Sequence, residues 1–237
     1  MKTIGLIGGT SWISTVDYYR AINELTNQRL GALHSAKLLL YSVDFEEYRP
    51  DKTTDWIAKG KAMGAIARRL QDAGADCLLL GANTMHMMAD TVQRCIDIPL
   101  IHIVTETARA VSAQGMSKVA LLGTRTTMEE PFFADKLREH GIEGLIPSPE
   151  DREFINGAIF TELNKGIFRE ETRKKFVSII EKLAARGADA AILGCTEFPL
   201  LIKPEDSPVP LFDTAAIHAR AAVDFALSGD RVLSERV

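Results

Sequence analysis

"GADCLLLGANTMH", residues 74–86, reads as one version of a phrase that returns as "GADAAILGCTEFP", residues 187–199. Setting Gly74 on Gly187, an offset of 113, places Ala82 opposite Cys195. Three further segments repeat in the same order. "KTIGLIGGT" (2–10) matches "SKVALLGTR" (117–125) at an offset of 115, and both lead into a helical pattern with an aromatic pair, Tyr18-Tyr19 and Phe132-Phe133. The helical stretch 58–73 answers to 172–186, and "IPLIHIVTETARA" (98–110) pairs with "VPLFDTAAIHARA" (209–221) at an offset of 111. Ordered matches at nearly constant spacing mark an internal duplication.

Each half alternates short apolar runs with helical patterns, which points to βαβ units and parallel sheets covered on both faces. The first half reads as strands near 2–8, 36–43, 76–81 and 99–103, with helices near 14–29, 55–73, 85–95 and 105–114. The second reads as strands near 118–123, 189–194 and 209–212, with helices near 127–140, 151–164, 170–186 and 214–227. The expected fold is α/β: two pseudo-symmetric, Rossmann-like three-layer domains, 1–104 plus 213–237 and 105–212, with the active site in the cleft between them. In open parallel sheets ligands sit beyond the carboxyl ends of the strands. Gly8-Gly9-Thr10-Ser11, Ala82-Asn83-Thr84, Gly123-Thr124-Arg125-Thr126 and Cys195-Thr196-Glu197 all fall there.

Composition narrows the function. The 237 residues are 46% hydrophobic and carry a net charge of −4, with Lys and Arg scattered among acids, so nucleic acid is not an expected partner. No apolar stretch has the length a bilayer demands, and the opening "MKTIGLIGGT" lacks a signal-peptide core. Three cysteines, Cys77, Cys95 and Cys195, form neither a disulfide framework nor a paired metal motif. The chain therefore reads as a reduced, cytoplasmic protein without a metal. "GLIGG" after the first strand lacks the G-x-G-x-x-G spacing of a dinucleotide site, and Asp44 only imitates the ribose-binding acid.

Hydroxyl- and amide-rich turns opening into helices suit a small anion. Cys195, after an apolar strand and at an expected helix start, is positioned to be a thiolate base. Cys77 falls mid-strand and Cys95 late in a helix, where both serve packing.

"GGTSW", "ANTMH", "LLGTRTTM", "GCTEFPLLI" and "FDTAAIHA" together resemble the cofactor-independent aspartate/glutamate racemase superfamily, in particular its aspartate and broad-specificity amino-acid racemase branch. The likeness spans nearly the whole chain. It implies two catalytic cysteines on opposite faces of the substrate α-carbon, without pyridoxal phosphate or any other cofactor. One falls on Cys195; the other position holds Ala82, whose methyl carries no exchangeable proton. Substitutes for that group are a water, a hydroxyl of Thr84 or Thr10, or His86, whose imidazole ordinarily titrates in the useful range.

Chemistry and resemblance together assign Asn83, Thr84 and Thr196 to the α-carboxylate and its developing enolate charge. Thr10, Ser11, Thr124 and Thr127 are left for the ammonium or distal carboxylate, with Glu197 orienting the amino group. Arg49, Arg125 and Lys165 are candidates for the distal carboxylate; His34, His102, His140 and His218 read as structural. The expected activity is racemisation or epimerisation of aspartate, glutamate or a related amino acid, reduced or altered by Ala82. Two alternatives stand beside it: a single-cysteine decarboxylase or isomerase of the same fold, resembling arylmalonate decarboxylase, and a non-catalytic amino-acid-binding protein. The partner is then a small amino acid or dicarboxylate, and because relatives are often dimers, a homodimer is the assembly to test.

Overall fold

The computed structural model describes residues 1–49 and 55–228. Two compact units emerge, Met1–His102 together with the chain from His218 onward, and Ile103–Ile217.

The first unit is built on a parallel sheet of β1 (Ile4–Gly8), β2 (Leu38–Ser42) and β3 (Cys77–Leu80) in the order β2-β1-β3. Ile4 pairs with both Leu38 and Cys77. Strands β1 and β3 are buried at every position, as expected for parallel strands covered on both faces. Residue alternation sends Ile7, Leu78 and Leu80 to one face, against α3 (Trp56–Asp72), a 3₁₀ turn (Thr84–Met88) and α4 (Ala89–Gln93). Close packing of α3 there uses glycine: a Cβ on Gly64 would lie 2.4 Å from the Cys95 sulfur. Buried Tyr18 and Ile22 lie on α1 (Trp12–Leu30), and α2 (Phe45–Tyr48) follows β2.

In the second unit β4 (Lys118–Gly123), β5 (Glu143–Leu145), β6 (Ala190–Gly194) and β7 (Leu211–Asp213) form a parallel sheet in the order β5-β4-β6-β7. Two apolar clusters separate by alternation along the strands. Ala120, Leu122, Ala191 and Leu193 pack with α8 (Pro149–Thr161), α9 (Glu170–Ala185) and α10 (Phe198–Leu201). Val119, Leu121, Ala190 and Ile192 pack with α5 (Ile103–Ala113) and α7 (Pro131–Glu139). This unit is thus a three-layer sandwich, and its β5-β4-β6 order parallels the β2-β1-β3 order of the first sheet, with β7 added at the edge. The last helix is α11 (Thr214–Leu227), and among the described residues no helix is long and apolar enough to cross a membrane.

The structure departs from the sequence reading at four places. The expected strand at 99–103 shrinks to one bridge, Leu78 to Leu100. The helix expected over 127–140 is two, α6 (Arg125–Glu129) and α7, because Pro131 has no N–H for a continuing ladder and starts a new helix at its first position. A fourth strand, β5, forms from "EGL", three residues too short and too polar to show a periodic pattern. The segment after Asn83 opens as a 3₁₀ turn instead of an α-helix. The stretch 50–54 and the end of the expected first domain, 229–237, lie outside the described residues.

At the end of β1 the chain makes a tight approach to the segment after β2. Gly9 has φ +89°, and a Cβ there would sit 2.2 Å from the Val43 carbonyl oxygen. Gly115 has φ +72° but open space around it. Gly9→Ala is therefore expected to cost about 3 kcal/mol by urea denaturation, against about 1 kcal/mol for Gly115→Ala; equal costs would show that the approach does not matter.

Candidate active site

The polar residues of the first unit gather where β1 and β3 end side by side, Ile7 being in register with Leu80. After β1, the Gly9 N–H donates to Thr15 Oγ1 at 2.8 Å, and that hydroxyl donates to the Ser11 carbonyl at 2.9 Å. Thr15 thereby clamps the turn around Thr10 and Ser11. Ser11 takes φ +154°, ψ 119°, a backbone conformation that L-residues rarely adopt. The Thr10 and Ser11 hydroxyls are buried without a hydrogen-bond partner. Buried polar groups are nearly always satisfied, so two such hydroxyls at one strand end make this turn a candidate ligand site. Sequence reading found Thr10 and Ser11 but missed Thr15, whose signal was a hydroxyl in the first turn of the following helix.

After β3, Ala82 is half-buried, and Asn83, Thr84 and His86 are buried. His86 Nδ1–H donates to the Ala82 carbonyl at 3.0 Å, so the other ring nitrogen of the neutral imidazole carries the lone pair. Burial and the neighbouring His102 and His218 hold its pKa well below the usual histidine value. This corrects the expectation of a ring titrating near neutrality. The ring centroids of His86 and His102 are 4.7 Å apart, and those of His86 and His218 are 5.6 Å apart. His218 Nε2–H donates to the Ile101 carbonyl at 2.7 Å; since a carbonyl only accepts, Nδ1 is the acceptor for the Tyr18 hydroxyl at 2.9 Å. Burial lowers its pKa to about 4. Arg49, at the end of α2, is paired with Glu46 at 3.3 Å.

In the second unit polar residues again follow the strand ends. Thr124 caps α6, its Oγ1 accepting from the Thr127 N–H at 3.1 Å, and the two hydroxyls are 3.0 Å apart. Gly123 and Gly194 are in register at the ends of β4 and β6, and a Cβ on Gly194 would meet the Thr127 methyl at 3.2 Å. Thr127 thus stands beside the turn that carries Cys195.

In that turn the Cys195 thiol donates to Glu197 Oε2 at 3.1 Å, and Thr196 Oγ1 donates to the same oxygen at 2.9 Å. Glu197 is 1% exposed, and its Oε1 has no partner. Burial first, then the Glu197 carboxylate, push the Cys195 thiol well above its usual range, against backbone N–H groups of Thr196 and Glu197 that favour the thiolate. The expectation of a resting thiolate is overturned. The helix that follows, α10, is a single turn of four residues, and its small dipole does not offset desolvation. Thr214 supports the strand end from behind, its hydroxyl donating to the Leu193 carbonyl at 2.9 Å.

Two further basic candidates are Arg125, which directly follows Thr124, and Lys165. Arg125 is half-exposed and paired with Glu153, and Lys165 is exposed. All three cysteines are free. Cys77, mid-strand, is pushed up to about 12 by burial, and Cys95 donates to the Thr91 carbonyl at 3.3 Å. Among the described residues no group of three or more His, Cys, Asp or Glu is gathered to hold a metal ion.

The profile of the Asp/Glu/Hydantoin racemase family matches residues 7–222. The chain belongs to the Asp/Glu/hydantoin racemase family. A crystal structure from Yersinia pestis, assigned as an Asp/Glu racemase, is 46% identical, covers 96% of this chain and 100% of its own, and superposes with a TM-score of 0.89. An aspartate racemase homologue from Pyrococcus horikoshii OT3 is 36% identical over 95% of this chain and 99% of its own, with a TM-score of 0.83. The broad specificity amino-acid racemase RacX of Bacillus subtilis (strain 168) is 24% identical over 95% of this chain and 98% of its own. As a member of this racemase family the chain is an isomerase.

The buried, neutral His218 makes stability depend on pH. Unfolded histidine titrates near 6.5, so between about pH 6.5 and 4 the unfolded chain binds the extra proton. Stability is full above pH 6.5 and falls as pH drops, by about 3 kcal/mol in total from this residue; His86 acts in the same direction. Urea midpoints are expected to fall between pH 7.5 and 5, with a shallower fall in His218→Gln. Identical slopes would remove His218 as the cause.

Proposed function

We propose that this enzyme interconverts the enantiomers of aspartate, glutamate or a closely related amino acid, with Cys195 as the acid/base on one face of the α-carbon and no cofactor. The observation that carries the reading is the turn at the end of β6: one thiol, hydrogen-bonded to a buried carboxylate and reached by two backbone N–H groups. Those N–H groups favour the thiolate that must form before the α-proton can be taken, while burial keeps water from competing.

Thr196, with Asn83 and Thr84, is assigned the α-carboxylate and the enolate charge that develops on it. The unpartnered hydroxyls of Thr10 and Ser11 and the paired hydroxyls of Thr124 and Thr127 are assigned the ammonium and distal carboxylate. Arg49, Arg125 and Lys165 stay candidates for the distal carboxylate: Arg49 is paired with Glu46, Arg125 with Glu153, and Lys165 is exposed. The reading includes a cytoplasmic location.

By the sequence repeat, position 82 corresponds to Cys195, and its methyl supplies no proton. Inversion then depends on a water, on Thr84 or Thr10, or on the lone pair of His86. Ala82 also favours a second reading, a one-sided decarboxylase or isomerase that returns a proton to a single face.

Incubating the protein with each enantiomer of aspartate and glutamate in heavy water, and following α-proton loss by NMR together with optical inversion, tests these readings. Inversion supports racemisation; exchange with retention supports one-sided chemistry; binding without exchange would leave an amino-acid-binding protein. Cys195→Ala is expected to lower exchange by about 100-fold or more, and undiminished exchange would remove Cys195 from its role. Ala82→Cys is expected to raise inversion by about ten-fold or more. An absence of gain would mean that position 82 does not serve the second face.

A further inference from the structure

We propose that Thr15 is a positioning residue for substrate binding, its hydroxyl holding the Thr10–Ser11 turn so that the two hydroxyls of that turn meet the ligand. The inference rests on the racemase reading, which assigns Thr10 and Ser11 to the substrate, and deepens it by naming what keeps them in place.

The Thr15 hydroxyl is committed to the protein. It is buried, accepts from the Gly9 N–H at 2.8 Å and donates its one proton to the Ser11 carbonyl at 2.9 Å. No proton is left to offer a substrate. The two bonds grip the chain on either side of Thr10. The Thr15 N–H and the Ser14 hydroxyl, each 3.2 Å from the same Ser11 carbonyl, tighten that grip.

The turn does not hold itself. Gly9 has φ +89° and Ser11 φ +154°, and Ser11, at the N-cap of α1, makes no side-chain capping bond. Backbone in such regions persists only where its surroundings fix it. The Thr10 and Ser11 hydroxyls, in residues 6% and 5% exposed, have no hydrogen-bond partner and so anchor nothing. Their direction is inherited from the backbone, and the backbone takes its own from Thr15.

Shape suits threonine to the place as well. Gly8 ends β1 without a side chain, and a Cβ there would lie 2.5 Å from the Thr15 methyl. The methyl thus seats on the bare strand end, and a β-branched side chain has few χ1 choices, so one rotamer delivers both hydrogen bonds. Further along the same helix, buried Thr26 makes the same kind of bond to a carbonyl four residues back, that of Ile22 at 2.8 Å, away from any turn. Thr26 is therefore the internal control.

Thr15→Val keeps the branched shape and removes the hydroxyl. Dissociation constants for each enantiomer of aspartate and glutamate, measured by calorimetry, are expected to rise by about ten-fold or more. Over the same change kcat for α-proton exchange is expected to stay within about three-fold, as when uniform binding is lost. Thr15→Ser, which keeps the hydroxyl, is expected to bind within about three-fold of wild type, and Thr26→Val to bind as wild type does. In a Ser11→Ala background, where one of the held hydroxyls is already gone, Thr15→Val is expected to cost less affinity than in the wild type. Should Thr15→Val not fold, Thr15→Ala, with the better helix former, carries the same expectation.

Unchanged affinity in Thr15→Val, equal losses in the Val and Ser variants, a loss as large in Thr26→Val, or an undiminished cost in the Ser11→Ala background would each overturn the positioning role. If the wild type binds these amino acids but exchanges no α-proton, the racemase reading falls, and the dissociation constants still decide the role of Thr15. Binding of none of them would overturn both.

Discussion

Burial of parallel strands on both faces is the constraint from which the rest of this structure follows. Strands β1, β3 and β6 have no exposed residue, and each is apolar throughout because a polar side chain there would have no water and no partner. Chemistry is thereby excluded from the strands and confined to the turns where they end. In the second unit the paired glycines at 123 and 194 let the β4 and β6 ends come close enough for Thr127 to stand against the Cys195 turn. In the first, Gly9 lets the chain pass the backbone at Val43 while Thr15 pins the Thr10–Ser11 turn.

Such turns are polar islands at the edge of apolar layers, and their electrostatics are set by desolvation. A cysteine at a strand end beside N–H groups looks at first like a stabilised thiolate. Burial outweighs those groups, and the nearby carboxylate adds to it. The same desolvation keeps the imidazoles of His86 and His218 neutral, so the first unit carries a cluster of uncharged rings behind Ala82 that works by hydrogen bonding.

Much of the fold was legible because its signals are local and repeated. Apolar runs near 2–8, 76–81 and 189–194 were readable as strands since each lies between covering layers and so cannot alternate. The short strand β5 was not readable: three residues carry no period, and only the neighbouring edge of β4 makes "EGL" extended. The split of the helix at Pro131 was visible as chemistry, yet a single proline within an amphipathic run does not say whether the helix bends or restarts.

The sequence by itself determined the alternation of strand and helix, the positions of the strand-end turns, and the contrast between a thiol at 195 and a methyl at 82. Those are properties of residue order, written in periodicity and repetition. Only the tertiary structure decided how these groups are ionised and whom they touch: the carboxylate of Glu197 turned onto the thiol, Thr15 clamping the Ser11 turn, Tyr18 bonded to His218 some 200 residues away. Hydrogen-bond partners and burial depend on which distant segments pack together, and a pKa depends on both, so neither can be read along a chain.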